Sequence, residues 1–236
     1  KLPEVPLSNI WLASKLSGKI PSGSVIHFGI LNSLRSWNFF PLPEGVRSSS
    51  NVGGFGIDGG MSSLIGASYA EPDELCFLVI GDLAFFYDIN VLGNRHLKNN
   101  VRIILVNNGR GTEFRNYGHH TSHFGTEADN FIAAAGHFGN QSRSLAKGFT
   151  EALGFSYASM DRKEGFDKAF PDSFFSPAEQ PMIVEVFTDT DKESKALELM
   201  MNILVDKKIY GKSSGKEQLR KIIGQKNINK LKGILK

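Results

Sequence analysis

Residues 74–80, Glu-Leu-Cys-Phe-Leu-Val-Ile, lead into Gly81-Asp82, and residues 101–106, Val-Arg-Ile-Ile-Leu-Val, lead into Asn107-Asn108. Such continuous apolar runs are typical of strands buried on both faces of a parallel sheet. Residues 83–97, which connect the two runs, have a helical pattern. Together with similar alternations along the chain, this predicts an α/β fold: a parallel, doubly wound (Rossmann-like) sheet with helices on both faces.

The spacing of the two polar pairs places them at one edge of that sheet. Between Asp82 and Asn107 lie 24 residues. A helix of about 14 residues covers roughly 21 Å, and a strand of six or seven residues returns over nearly the same distance. We therefore expect Asp82 and Asn108 at the carboxyl edge, where open α/β sheets bind ligands.

One carboxylate and one amide oxygen, with a nearby backbone carbonyl, are oxygen ligands that suit Mg²⁺ better than zinc. An ion held by so few protein groups normally shares its other positions with phosphates and water. From spacing alone, Asp82 as a helix N-cap and Asn107-Asn108-Gly109 as an ordinary turn remain alternatives.

The remaining elements are predicted from periodicity, caps and turn residues. In the first part of the chain they are a helix over 7–16 with Ser8 as N-cap, a strand over 24–29, and a helix through about 69 after glycine-rich residues 53–60. A long loop over 109–126 follows the second buried run, and helices are predicted near 140–152 and 161–169, with a short segment at 156–159 between them. The last predicted elements are a strand over 182–187 and a helix begun by the capping box of Thr190 and Glu193.

Composition indicates an ordinary globular protein. The 236 residues are 41% apolar and 22% charged. The single cysteine, Cys76, excludes an internal disulfide and is expected to be a buried, inert thiol. No apolar run approaches the roughly 20 residues that cross a bilayer, and no signal peptide opens the chain, so we expect a cytoplasmic protein. A start at Lys1 without methionine suggests a processed chain or a fragment of a longer one.

The charge is unevenly distributed. Residues 207–236 carry ten Lys or Arg and one acid, whereas the other 206 residues carry 17 basic and 23 acidic groups. We therefore divide the chain into a cofactor domain, residues 1–205, and a basic helical tail, residues 206–236. The tail is expected to be a solvated helical segment, with an anionic partner as the alternative.

The motif Gly81-Asp82 with Asn107-Asn108 resembles the magnesium and diphosphate motif of thiamine-diphosphate enzymes. The resemblance extends from about Leu7 to Leu204. Residues 50–59, Ser-Asn-Val-Gly-Gly-Phe-Gly-Ile-Asp-Gly, and residues 81–90, Gly-Asp-Leu-Ala-Phe-Phe-Tyr-Asp-Ile-Asn, are most similar to the menaquinone-pathway synthases. Those enzymes decarboxylate 2-oxoglutarate and add the fragment to isochorismate.

The resemblance implies thiamine diphosphate and Mg²⁺ as cofactors, with the ion held by Asp82, Asn108 and the backbone carbonyl of Arg110. It also implies that Ile57 is the apolar wedge beneath the cofactor and that the Phe55 carbonyl accepts from its aminopyrimidine. For Ile57 the alternative is a core residue, and for Asp58 a plain N-cap. The residues implied to bind the cofactor are Asn32, Ser33, Phe55, Gly56, Ile57, Asp58, Gly81, Asp82, Leu83, Ala84, Asn108 and Gly111.

Three positions depart from the menaquinone-pathway pattern. Ala84 stands where those synthases have a serine, and Val52 and Trp37 stand where they have arginines. Two guanidinium groups able to pair with substrate carboxylates are therefore absent or moved. Arg35, Arg110 and Arg115 are possible replacements or ordinary surface charges. This predicts an intact cofactor site with an altered substrate.

Three histidines in the long loop are further candidates. His119, His120 and His123 could act on substrate as acids or donors, because histidine titrates near neutrality. Zinc binding would lack a fourth ligand and regular spacing. The alternative is a solvated loop without a catalytic role.

The resemblance also implies an incomplete site. In the family, a glutamate from a separate pyrimidine-binding domain, usually in the partner subunit, activates the cofactor. The 236 residues leave no room for that domain. We expect a pyrimidine-binding domain or subunit as partner, a homodimer or heterotetramer, and a small 2-oxo acid as substrate, with no nucleic acid. The enzyme would be a decarboxylating lyase or transferase.

Two other classes of function remain open. One is a nicotinamide-binding Rossmann domain built on residues 54–59, although the acidic residue expected about 20 positions further on is missing. The other is a non-catalytic interaction domain that retains the fold and uses its basic tail.

Overall fold

The computed structural model describes residues 3–54, 56–137 and 141–203. Within them, six strands form one sheet in the order β2-β1-β3-β4-β6-β5, and every neighbouring pair is parallel. The predicted parallel α/β sheet is confirmed. The strands are β1 Val25–Phe28, β2 Arg47–Ser50, β3 Cys76–Gly81, β4 Val101–Asn107, β5 Ser156–Met160 and β6 Met182–Phe187.

Among the described residues, seven α-helices connect or flank these strands. They are α1 Asn9–Leu16, α2 Asn32–Trp37, α3 Gly60–Ala70, α4 Asp82–Tyr87, α5 Leu145–Ala152, α6 Phe166–Ala169 and α7 Thr190–Met201. Short 3₁₀ segments lie at Ser17–Lys19, Ile89–Gly93, Thr112–Arg115, His120–Phe131, Ala133–Ala135, Lys163–Gly165 and Asp172–Phe175. The predicted cap of α1 is confirmed, since the Ser8 hydroxyl accepts from the Trp11 amide at 3.3 Å.

The sheet has a buried apolar layer on each face, as a doubly wound fold requires. Successive residues of a strand point to opposite faces. Phe77 and Val79 accordingly join a core with α1 and α7, while Leu78 and Ile80 join a second core with α3 and α5. Cys76 is fully buried in that second core, and burial raises the pKa of its thiol to about 11, as expected for an inert thiol.

The helix predicted over residues 83–97 is wrong in length. Helix α4 ends at Tyr87, and a separate 3₁₀ segment follows at Ile89–Gly93. Asp88 leaves the helical region (φ −118°, ψ 15°) because its carboxylate accepts from the Ser62 amide at 2.7 Å and the Ser62 hydroxyl at 2.6 Å. A contact across 26 residues therefore ends the helix.

The predicted capping box of Thr190 and Glu193 is also wrong. The Asp189 carboxylate caps α7 instead, accepting from the amides of Asp191 at 3.1 Å and Lys192 at 3.0 Å. Glu193 turns away and accepts from the Asn9 amide. The motif therefore predicts the start of α7 nearly correctly, although the capping side chain is that of Asp189.

Smaller differences concern the ends of elements. Strand β2 was not predicted, because Arg47–Ser50 contains no apolar residue. Helix α5 begins at Leu145, and residues 163–169 form a 3₁₀ turn followed by α6. The segment predicted as a loop over 109–126 contains two 3₁₀ segments.

The contacts divide the chain into residues 1–200 and residues 201–236. The helices predicted in the basic tail, residues 206–236, lie outside the described residues, so the predicted boundary at 205 remains a prediction. In the part of the chain that the structure describes, no helix combines the length and apolar character needed to cross a membrane.

Arg102 at the start of β4 is a fully buried cation that holds a loop. Its guanidinium donates to four backbone carbonyls: Phe174 at 3.0 Å, Asn99 at 2.6 Å, Val101 at 3.0 Å and Ser176 at 2.7 Å. Buried carbonyls need such partners, because losing them costs about 1–3 kcal/mol each. Arg102 therefore stabilises the amino edge of the sheet, opposite the carboxyl edge.

We expect Arg102→Met to lower the free energy of unfolding by at least about 2 kcal/mol, because a shorter apolar side chain leaves these carbonyls without donors. Urea unfolding at constant pH measures the change. Arg162→Met is the control, since the Arg162 side chain is 80% exposed, and it should change stability by less than about 0.5 kcal/mol. Equal stability of the two variants would contradict this role.

Candidate functional site

The candidate site lies at the carboxyl edge, where the chain changes direction through the sheet. From β1 the chain crosses to β2 on one side, whereas from β3 it proceeds to β4 on the other. Crevices at such switch points are where open α/β sheets bind ligands. After β1 come Asn32 and Ser33, and after β3 comes Asp82. The structure thus brings three predicted residues to the ends of two neighbouring strands.

Asp82, the first residue of α4, is 1% exposed. Its Oδ2 accepts a short hydrogen bond from Nε2 of His137, whose ring lies 4.9 Å from the Phe86 ring. Its Oδ1 is buried and has no partner among the described residues. Since buried carboxylate oxygens are costly when unpartnered, this oxygen is a candidate ligand atom.

The register places Asn108 one strand away from Asp82. Gly81 pairs with Val106, so Asp82 is level with Asn107. The buried Asn108 side chain donates to the Thr112 hydroxyl at 2.7 Å, and its Oδ1 accepts from the Arg110 amide at 3.2 Å. The expected approach of Asp82 and Asn108 to one edge is therefore what the sheet produces.

The oxygen atoms available at this edge suit a hard divalent cation. They include a free carboxylate oxygen on Asp82, the amide oxygen of Asn108, and the carbonyl of Arg110 in the turn that follows, all oxygen atoms of the kind Mg²⁺ takes. Over the described ranges, no three His, Cys, Asp or Glu side chains come together to hold a metal. That result gives no support to zinc at His119, His120 and His123.

The glycine loop between β2 and α3 lines an open cavity of about 430 Å³, together with Asn51 and Asp58. Helix α3 is capped by Gly59 at φ 75°, a left-handed conformation that favours glycine. Asp58 makes no cap, so its alternative role as N-cap is wrong. A Cβ at Gly56 would lie 2.3 Å from the Asp58 Oδ1, so Gly56 lets that carboxylate approach the backbone.

Ile57 is half-buried and is absent from both described core clusters. The core alternative for Ile57 is therefore not supported. Phe55, predicted to offer its carbonyl to the cofactor, lies outside the described residues.

Three other predicted residues, Leu83, Ala84 and Gly111, follow Asp82 and Asn108 in the sequence. Ala84 is partly buried against the core beneath α3 and α5. Gly111 donates its amide to the Ala134 carbonyl at 2.6 Å, and a Cβ there would lie 2.9 Å from the Ala134 Cβ and 3.3 Å from the Leu83 Cδ2. Close packing in this chain therefore accounts for Gly111. A cofactor role for Ala84, Gly111 or Leu83 remains a prediction.

The loop histidines have mainly local contacts. His119 Nδ1 accepts from the Thr121 amide at 3.2 Å, which caps the 3₁₀ segment that begins at His120. His120 and His123 are exposed. A catalytic role for them remains a prediction. His137, which does contact Asp82, had no signal in the sequence, because 55 residues separate the pair.

The candidate arginines are already paired. Arg35 donates to both Glu113 carboxylate oxygens, at 2.8 and 3.3 Å. Arg110 and Arg115 share Asp129, at 3.0 and 2.8 Å. None of these cations is an unpaired group at the site. Arg110 and Arg115 belong to the loop after β4, and Arg35 on α2 is bound to Glu113 of that loop.

The two positions that resemble family arginines have different environments. Trp37 is 2% exposed and packs on Phe28, with ring centroids 5.4 Å apart. Val52 is 50% exposed beside the glycine loop. The first position therefore belongs to the core here, whereas the second is an open surface position.

Two buried glutamates lie near this edge, and the sequence analysis missed both. Glu185 on β6 accepts from Asn107 Nδ2 and from the Tyr157 hydroxyl, both at 2.6 Å. Burial raises the pKa of Glu185, and the charge of Asp82 adds to this effect. An acid inside the apolar strand Met182–Phe187 is the signal that could have found it.

Glu193 is the second buried acid, and it is 1% exposed. Its carboxylate accepts from the Asn9 amide at 3.0 and 3.1 Å and from Asn32 Nδ2 at 3.1 Å. Burial raises the pKa of Glu193 to about 7; these hydrogen bonds oppose the shift, and the charge of Asp82 adds to it. Both glutamates are thus within electrostatic reach of Asp82.

Comparison with known proteins identifies relatives of this chain. The chain is 34% identical over 200 residues to the 2-succinyl-5-enolpyruvyl-6-hydroxy-3-cyclohexene-1-carboxylate synthase of Bacteroides fragilis, covering 83% of this chain and 34% of that protein. The synthase of the same name from Phocaeicola vulgatus is 35% identical over 199 residues, with the same coverage. No protein-family model matches the chain.

Among solved structures, the thiamine diphosphate-dependent 4-hydroxybenzoylformate decarboxylase of Rhodococcus jostii RHA1 superposes with a TM-score of 0.61 at 20% identity, over 81% of this chain and 35% of that one. The fold is therefore one found in a thiamine diphosphate-dependent enzyme. In sequence, the chain is a relative of the 2-succinyl-5-enolpyruvyl-6-hydroxy-3-cyclohexene-1-carboxylate synthases, which confirms the resemblance stated above. It spans about a third of the length of these relatives.

The raised pKa of Glu193 predicts a pH-dependent stability. Between the ordinary carboxyl pKa of 4.5 and the folded value of about 7, the folded chain binds more protons than the unfolded chain, so stability falls as pH rises. We expect the free energy of unfolding to drop by about 2 kcal/mol from pH 5.5 to 7.5 through this group.

Urea unfolding at both pH values, on the wild type and on Glu193→Gln, isolates that contribution. The variant should lack it, whereas Glu164→Gln, a change at an exposed acid, should retain it. The same pH dependence in wild type and Glu193→Gln would show that Glu193 does not titrate as described.

Proposed function

We propose that this chain is the diphosphate-binding domain or subunit of a thiamine-diphosphate enzyme. The complete enzyme would decarboxylate a 2-oxo acid and either release an aldehyde or transfer the fragment to an acceptor. The observation that carries the proposal is the buried Asp82 carboxylate, with one oxygen free among the described residues, one strand away from Asn108. The names of the relatives, a synthase and a thiamine diphosphate-dependent decarboxylase, support this chemistry.

Mg²⁺ would be held by Asp82, Asn108 and the Arg110 carbonyl. His137 donates to one oxygen of Asp82 and leaves the other for the ion. Such outer contacts orient a ligand and typically contribute 10–100-fold to metal affinity. The chain's residues thereby fix where the diphosphate binds.

Bound thiamine diphosphate would supply the electron sink for breaking the bond beside the 2-oxo group. Residues 53–59 would line the cofactor, with Ile57 as its apolar support. The cavity bounded by Gly53, Gly54 and Gly56 leaves backbone accessible there. The role of this loop is to orient the cofactor.

The remainder of the site would come from another part of the protein. The chain spans about a third of the synthases' length, and the resemblance implies a glutamate from a pyrimidine-binding domain. We propose that this domain, in the same chain or a partner subunit, completes the site in a homodimer or heterotetramer, and that the enzyme is cytoplasmic.

The nicotinamide alternative finds little support. The glycine loop follows edge strand β2, and the next strand along the chain, β3, lies beyond β1 in the sheet. A dinucleotide site needs its glycine turn and its acidic residue on adjoining strands. Titration with NAD should therefore produce no binding signal.

We expect Asp82→Asn to weaken magnesium-dependent binding of thiamine diphosphate by about 100-fold or more, because the variant replaces a charged ligand by a neutral one of the same shape. Calorimetry with and without Mg²⁺ measures it. Asp167→Asn, at an exposed position on α6, is the matched control and should bind like the wild type. Unchanged affinity in Asp82→Asn would refute the proposed function.

A second expectation concerns the acceptor. Each lost charge-assisted pair costs about 1.5–3 kcal/mol, or roughly 10- to 150-fold, so lacking both family arginines should cost about a hundredfold or more. We expect the complete enzyme to use isochorismate poorly with 2-oxoglutarate. Val52→Arg should improve that use about tenfold, whereas Val52→Met should not. Steady-state product formation decides it, and efficient use by the wild type would contradict the substrate argument.

A further inference from the structure

The Glu193 carboxylate joins three elements that are far apart in the sequence. It accepts from the backbone amide of Asn9, 184 residues away, and from the side chain of Asn32, 161 residues away. Asn9 and Asn32 are the first residues of α1 and α2, and Glu193 itself lies in the first turn of α7. One buried acid therefore connects the amino ends of three helices.

Helix α7 does not itself need this carboxylate. Asp189 already caps its first turn through the amides of Asp191 and Lys192. Burying a charged group is unfavourable unless it is well paired, so a capped helix alone does not account for Glu193. Its partners on α1 and α2 must account for it.

The Asn32 end of this contact lies at the candidate site. Asn32 follows Leu31, whose φ of 65° and ψ of −114° lie in a region that non-glycine residues rarely adopt. This turn leaves the carboxyl end of β1, next to the end of β3 where Asp82 begins α4. A strained backbone at this position needs a fixed partner to persist.

Glu193 also determines which way the Asn32 amide faces. In its ionised form Glu193 only accepts hydrogen bonds, so the amide presents Nδ2 to it, at 3.1 Å, and turns Oδ1 away. That Oδ1 is buried and has no partner among the described residues. One Nδ2 hydrogen and the carbonyl oxygen thus remain for another group, in a single orientation.

We propose that Glu193 is a positioning residue for the cofactor site: by holding the Asn32 amide in one orientation at the end of β1, it sets the polar group that α2 presents to the bound cofactor. The inference rests on the proposed function. It goes further because it assigns a residue of α7 to cofactor binding. That residue lies outside both the glycine loop and the turn after β4 that holds Asn108 and Arg110.

A double-mutant cycle on cofactor affinity tests this inference. We expect Glu193→Gln to weaken binding of thiamine diphosphate with Mg²⁺ about tenfold, because the glutamine amide turns a donor toward Asn32 and reverses its orientation. Asn32→Ala should weaken binding by a similar factor. If Glu193 acts through Asn32, adding Glu193→Gln to Asn32→Ala should change affinity no further.

Arg102→Met, at the opposite edge of the sheet, controls for an effect of lower stability on binding. Under conditions in which this variant is folded, it should bind the cofactor with wild-type affinity. Should Glu193→Gln not fold, Glu193→Asp takes its place in the cycle, because the shorter acid cannot reach Asn9 and Asn32 together.

Wild-type affinity in the folded Glu193 variant would overturn the positioning role, and so would an equal loss in the Asn32→Ala background. In both cases a large loss in Asp82→Asn would leave the proposed function standing. Absence of magnesium-dependent binding by the complete wild-type enzyme would instead remove the proposed function, and the positioning role with it.

Discussion

The in-register pairing of β3 with β4 is the constraint on which the candidate site depends. Gly81 lies beside Val106, so Asp82 and Asn107 leave the sheet at the same level. The two apolar layers hold that register, because a slip of one residue would turn every side chain to the opposite face. The contacts that each makes, Asp82 with His137 and Asn107 with Glu185, orient its side chain but do not set that level. The positions of the two residues follow from the buried residues that precede them in each strand.

That edge collects buried acids as well as ligand atoms. Asp82, Glu185 and Glu193 are each almost fully buried, and each is paired with donors: His137 for the first, Asn107 and Tyr157 for the second, Asn9 and Asn32 for the third. Burial raises the pKa of both glutamates, and the negative charge of Asp82 adds to that effect. A divalent cation bound here would offset this charge. The buried acids therefore make this edge unfavourable without a bound cation and suitable for binding one.

The parts of the fold that the sequence predicts are those controlled by local pattern. Strands β3, β4 and β6 and helix α1 follow from apolar runs and a serine cap, and the edge that holds Asp82 and Asn108 follows from their spacing. Three of the errors involve distant partners. Ser62 ends the helix at Asp88, Asn9 and Asn32 draw Glu193 out of its capping box, and neighbouring β1 makes a strand of the polar residues Arg47–Ser50. His137 reaches Asp82 across 55 residues, a distance that no local pattern encodes.

Helix α2 joins two positions that the proposed function assigns to the cofactor side and to the substrate side of the site. It begins with Asn32, which Glu193 holds at the end of β1, and it ends with Trp37, buried against Phe28. An arginine at Trp37 would place a guanidinium in the apolar core, where an unpaired charge is strongly unfavourable. Val52 is exposed and could be replaced by arginine without such a cost. Of the two departures from the family pattern, one is therefore built into the packing that supports Asn32 and the other is not. Under the proposed function, a change of acceptor fixed through Trp37 could not be reversed there without disturbing the helix that would also present Asn32 to the cofactor.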